Sequence, residues 1–154
     1  MRLIVIESPF AGEVEANKAY LQSCIRHATL QMNESPYASH QMLTEALDDL
    51  DPRERQIGID AGLALGDAII DAGGAHVFYV NRGISNGMVY ALEHAAKKGR
   101  QITCREYDPV MDWIEWTFDA TLITSDEPFP ESHEQWGGGQ YVQKLYKHAI
   151  AQRK

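Results

Sequence analysis

The residues best suited to chemistry sit where an apolar run turns into a helical pattern. His76-Val77-Phe78-Tyr79-Val80 reads as a buried strand, and Asn81-Arg82-Gly83-Ile84-Ser85-Asn86-Gly87-Met88-Val89-Tyr90-Ala91 carries the chain into a helix ending at Lys98. Ser85 is a good N-cap and Gly87 lets a ligand approach the backbone closely. The start of a helix presents open N–H groups and the positive pole of the helix dipole, which suits a phosphate or carboxylate. The same residues also make an ordinary capped turn, and the pattern alone leaves both readings open.

A second group lies at the N-terminus. Leu3 to Ile6 reads as strand one, followed by Glu7-Ser8-Pro9-Phe10-Ala11-Gly12. Ser8-Pro9 serves either to end a strand or to supply a hydroxyl, and Phe10 is either core or an aromatic wall. His40 follows Ala38-Ser39 at a strand end and is either a ligand contact, a general acid, or a buried hydrogen-bonding residue. Asp48, Asp49 and Asp51 read as a solvated, helix-capping run rather than a metal cluster. Arg53 and Arg55 read as surface or intersubunit residues, although Arg55 could reach a phosphate. Trp113 and Trp116 read as core. No spacing of Cys, His or acids suggests zinc, and no cofactor is expected.

These segments resemble the nucleoside 2-deoxyribosyltransferase superfamily. The likeness is greatest to the branch that hydrolyses nucleoside 5′-monophosphates and to related small phage and bacterial proteins. Ser85-x-Gly87-x-x-Tyr90 carries it, with Glu7 to Gly12, Asn17 with Tyr20-Leu21, Pro36 to His40, and Asp51-Pro52-x-x-Arg55 with Gly58. Together these span roughly Met1 to Arg105. The resemblance implies a flavodoxin-like doubly wound sheet, mostly parallel, in the order 2-1-3-4-5. It implies cleavage, or transfer across, the N-glycosidic bond of a nucleotide, through an oxocarbenium-like transition state.

By resemblance, Ser85 and Gly87 would hold a 5′-phosphate through backbone N–H groups, and Asn81, Asn86 and Met88 would also belong to the substrate site. Glu7, Ser8, Phe10, Gly12 and His40 would meet sugar and base, and Asp60 would orient the sugar and the nucleophile. The nucleophile itself is missing. The residue six after the serine is a glutamate in the superfamily and Ala91 here, while Glu93 lies about 200° around the helix. Three explanations stand: a deliberate glutamate-to-alanine variant, a natural binder that retains a nucleotide without cleaving it, or a different carboxylate in the role. Glu7 is a candidate for the last. Superfamily members are commonly homo-oligomers, so the resemblance also implies one here.

The elements that must position these groups alternate. A helix is expected from Val14 to Asn33 and a short strand over Ser35 to Ser39, with Pro36 confined to its start. A partly helical connection covers Gln41 to Leu50. A helix from Asp51-Pro52 to Asp71 comes next, with Asp51 as N-cap and Pro52 in the first turn. Gln101 to Arg105 is strand four. Beyond it the pattern predicts a short helix over Val110 to Trp116 capped by Asp108-Pro109, and a fifth strand or an extended arm over Phe118 to Thr124. A loop over Ser125 to Gly139 and a helix over Gln140 to Gln152 complete the chain. Alternating strands and helices imply an α/β domain with its ligand at the carboxyl ends of the strands. Residues 106–154 are expected as an extension packing on the core or on a neighbouring subunit.

The length of 154 residues with 44% hydrophobic residues suits one domain with a real core. A formal charge of −8 argues against general nucleic-acid binding, which needs a basic surface, but leaves room for one small nucleotide. No apolar run reaches membrane-spanning length and no signal-like stretch opens the chain. Cys24 and Cys104 read as reduced core thiols, so a cytoplasmic protein is expected.

Overall fold

Five strands form one sheet in the order β2-β1-β3-β4-β5, as a computed structural model describing residues 1–153 shows. The strands are β1 (Arg2–Glu7), β2 (Glu34–Tyr37), β3 (Ala75–Tyr79), β4 (Gln101–Asp108) and β5 (Asp112–Asp119). β1 with β2 and β3 with β4 are parallel, and β4 with β5 is antiparallel. The expected α/β class and strand order are therefore observed. Every residue of β3 is buried, as a central parallel strand requires.

The chain divides into two compact units, Met1–His76 and the residues from Val77 onward. In the first, α1 (Val14–Arg26) runs into a π-helical turn, His27–Gln31, within the span expected to be one helix. Strand β2 keeps Pro36 inside the ladder, opposite Ile4, rather than at its start. It is an edge strand, where the missing N–H costs little. The connection after it forms helix α2 (Ser39–Ala46). Helix α3 (Pro52–Asp71) starts as expected, the Asp51 carboxylate accepting the N–H groups of Arg53 and Glu54 with Pro52 in the first turn.

In the second unit α4 (Asn86–Lys97) is capped by Ser85. The expected helix over Val110 to Trp116 is not formed: those residues belong to a β-hairpin. Asp108 does accept two backbone N–H groups, from Val110 at 2.8 Å and Met111 at 2.9 Å. Those bonds close a turn, however, and Asp112 at φ +66° sends the chain back. The returning strand is rich in aromatic and β-branched residues and alternates. Ile114, Trp116 and Phe118 face the core, while Glu115 and Thr117 stay exposed. The expected strand or arm over Phe118 to Thr124 is instead the end of β5 and a short helix α5 (Ala120–Thr124), capped by Asp119.

Helix α6 (Gly138–Ala151) begins two residues before the expected start. It buries Val142, Gln143, Tyr146 and Ala149. Together with α4, α5 and the inner face of β5 it encloses a core around Phe78, Leu92, Ile102 and Ile123. Residues 106–153 thus pack on their own unit. Cys24 and Cys104 are free and buried. Burial raises the Cys24 thiol to about 12 and holds Cys104 well above the usual thiol range. Among the described residues no helix is long and apolar enough to cross a membrane.

Candidate functional site

In the second unit the start of α4 is built by its own first turn. Ser85 Oγ accepts the Met88 N–H at 3.3 Å, and the Met88 sulfur accepts the Ser85 N–H at 3.5 Å. Met88 is thereby turned inward and buried, so it shapes the turn from within. Asn86 and Gly87 are exposed, and no described residue takes their N–H groups. A methyl group built on Gly87 would meet only Ser85 Oγ, 3.9 Å away. Neither φ nor packing therefore demands glycine there; its bareness leaves space over the helix start.

Asn81 ties the end of β3 to β4. Its side-chain amide donates to the Tyr107 carbonyl at 2.9 Å and accepts the Tyr107 N–H at 2.8 Å. A side chain here imitates one more rung of the parallel pairing that ends at Tyr79 and Arg105. Beside it, buried Arg105 donates to Tyr79 Oη at 3.1 Å and to Glu115 at 2.6 Å.

Ala91 is 3% exposed and lies in the apolar core with Phe78, Val80, Met88 and Leu92. Glu93 points elsewhere, accepting from Arg153 at 3.1 Å and from Tyr146 Oη at 3.2 Å. Burial, then the Glu93 charge, raises the Tyr146 phenol above its ordinary range. Arg153 also donates to Asn86 Oδ1 at 2.8 Å and lies 4.7 Å from the centre of the Tyr90 ring. Nothing local in the sequence announces that contact, which joins residues 67 apart.

The first unit holds a second group. Ser8 Oγ and His40 Nε2 share a 2.9 Å hydrogen bond, and the Phe10 ring stands edge-on to the His40 ring. Buried Asn17 donates to the carbonyls of Phe10 and Ala11 at 3.0 and 3.1 Å and so fixes the first loop. Gly12 leaves that loop at φ +91°, a conformation suited to glycine. Burial lowers the His40 pKa and the nearby Glu7 carboxylate partly opposes this. His40 Nδ1 is buried without a partner. Glu7 bonds to His76 Nε2 at 2.9 Å, a pairing that no motif foreshadows. Asp60 stands on the solvent side of α3 and accepts from Gln56 at 2.9 Å, a contact within its own helix rather than with another candidate.

The structure thus gathers Ser8, Phe10 and His40 in one unit, and Ser85, Asn86 and Gly87 in the other. Among the described residues no cluster of His, Cys, Asp and Glu could hold a metal ion. These features define an α/β protein with a doubly wound type of strand order and an open, capped helix start after its third strand. Residues 2–105 match the family model described as a domain of unknown function, DUF7768, and the chain belongs to that family. Among curated proteins no match is found. The match ends at Arg105, so β5, α5 and α6 lie beyond it.

Proposed function

We propose that this protein binds a nucleoside 5′-monophosphate or a related nucleotide on a flavodoxin-like scaffold akin to the nucleoside 2-deoxyribosyltransferases, and retains it without cleaving it. The observation that carries the reading is the pairing of an open helix start with a buried Ala91 five residues into the same helix. The N–H groups of Asn86 and Gly87, aided by the helix dipole, suit a phosphate. Separately, the first unit carries a hydrogen-bonded Ser8–His40 pair with the Phe10 ring edge-on to the histidine.

N-glycosidic cleavage or deoxyribosyl transfer is the second reading, and it needs a carboxylate at the anomeric carbon. Ala91 belongs to the buried apolar cluster that also holds Phe78, Val80 and Leu92. A glutamate there would have to ionise in apolar surroundings or displace its neighbours. That favours retention over cleavage.

The test is paired. The chain and its Ala91→Glu variant are incubated with ribo- and deoxynucleoside monophosphates, nucleosides and ADP-ribose compounds, and base release is followed by chromatography. Retention predicts a bound nucleotide and no free base from either form. Base released by Ala91→Glu alone would establish the N-glycosidase reading, and absence of any nucleotide binding would remove both.

A further inference from the structure

Helix α3 is the longest of the described helices, and it is apolar on more sides than its own unit covers. From Ile57 to Ile70 its charged residues are Asp60 and Asp67, and every other position is apolar or glycine. Yet its buried residues are Gly62 and Gly66, neither of which has a side chain. A methyl group on Gly62 would stand 2.9 Å from the Ser39 side chain, and one on Gly66 3.7 Å from Val5. The inner side thus packs its backbone closely on α2 and β1. The outer side presents Ile57, Ala61, Ala64, Leu65 and Ala68, all exposed, with Ile57 at 49% and Leu65 at 44%. Leu50, just before the helix, is 92% exposed. A helix with one side in water normally turns a polar face to it, and a helix apolar all round is normally covered all round.

Two charged groups flank this outer side. At about 100° per residue, Arg53 and Asp60 lie about 40° and 60° from Ile57, both on the same side of it, and about 10 Å apart along the axis. Both are exposed. Among the described residues Arg53 joins no ion pair, and Asp60 accepts from the neutral Gln56 amide at 2.9 Å. Arg55, by contrast, lies on another side of the helix and has Asp49 3.9 Å away. Ile57 falls midway between Arg53 and Asp60, so the outer side carries one positive and one negative group placed evenly about an apolar centre.

We propose that the outer face of α3 is where a second copy of this chain docks, the two α3 helices crossing antiparallel about a two-fold axis at Ile57. A two-fold contact must be self-complementary, and this one is. With Ile57 against its own counterpart, Arg53 of each copy comes level with Asp60 of the other. The exposed Leu50 comes level with Ala64 and Leu65, and alanines allow the close approach. A parallel pairing would set arginine on arginine and aspartate on aspartate. A purely apolar partner, or one of a single charge, would leave one of the two groups without a counter-ion. Apolar burial drives the contact and the exposed ion pairs fix its direction, since such pairs are worth only about 0.2–1 kcal/mol each. The proposal rests on none of the residues that carry the nucleotide reading.

The test is sedimentation of the full chain across a concentration series, with three variants at exposed positions whose folding is checked by circular dichroism. One helix pair makes a small interface, so a dimer that dissociates at micromolar concentrations is expected. Every substitution counts twice in a symmetric dimer. Ile57→Arg should raise the dissociation constant about a hundredfold, and Arg53→Glu about tenfold. Arg53→Glu combined with Asp60→Arg should regain the parent value, because the exchanged charges again face each other. A chain that stays monomeric up to about 1 mM would overturn the proposal. A dimer that Ile57→Arg leaves intact would place the contact on another face. Failure of the double variant to recover where Arg53→Glu alone dissociates would refute the antiparallel register.

Discussion

Two helices of the second unit carry glycine in their first turn, and they begin in opposite ways. At α6 the N–H groups of Gly139 and Gln140 are already taken by the Glu134 carboxylate. A methyl group on Gly138 would stand 2.5 Å from the Trp116 ring, and one on Gly139 would press into the Phe129 ring. At α4 the first N–H groups have no internal acceptor, and a methyl group on Gly87 would meet only Ser85 Oγ. Both starts carry the same dipole and the same kind of orphan donors. One is closed by its own side chain and packed shut; the other is left open. A glycine that packing requires says nothing about a ligand, whereas a glycine that neither packing nor φ requires directs attention to what approaches it.

The largest effect that would test this contrast is at α6. Gly139→Ala forces either the Phe129 ring or the helix to move, and Phe129 belongs to the core of the unit. Overpacking of this kind costs about 1–3 kcal/mol and more where the obstacle is a buried ring, so a clear fall in Tm is expected by calorimetry. A Tm within a degree or two of the parent would show that α6 is not held against Phe129 in this way. An intermediate effect is expected for Glu134→Ala, which removes the acceptor for two helix N–H groups. Loss of such a cap costs roughly 0.5–2 kcal/mol, read as a lower urea midpoint with unchanged slope. No change would mean that water replaces the carboxylate, and the two helix starts would then be less different than they look.

The same contrast explains how much the sequence disclosed. Ser85 as a cap and Asp51-Pro52 at the head of α3 were legible because capping is local: a side chain bonds to backbone two or three residues away. Alternation of strands and helices disclosed the α/β class, while the strand order was expected from the resemblance rather than from any local pattern. Asp108-Pro109 misled because the bonds Asp108 makes to the next N–H groups are common to a helix start and a turn. Only the period-two run from Ile114 to Phe118 decides between them. The pairing of Ser8 with His40, of Glu7 with His76 and of Asn81 with Tyr107 spans 26 to 69 residues, and no local pattern encodes such contacts. Ala91 was recognisable as a missing carboxylate by resemblance; that its side chain lies in the core is a fact of packing alone.

The smallest expected effect on stability is at Gly87, and there the contrast meets its hardest test. Gly87→Ala keeps every backbone N–H of α4, adds a methyl group into open space, and reduces the freedom of the unfolded chain. Stability should be unchanged or raised by up to about 1 kcal/mol. If the open start of α4 receives a phosphate, the added methyl group stands in its way, and affinity for nucleoside monophosphates and for inorganic phosphate should fall by about tenfold or more, the equivalent of about 1.4 kcal/mol. Isothermal titration alongside thermal unfolding separates the two quantities. Weaker binding in an equally stable protein would mean that glycine at this position serves a ligand, as the comparison with α6 suggests. Full phosphate binding by Gly87→Ala would place the anion elsewhere, since a group bound against bare backbone cannot ignore a side chain put in its path.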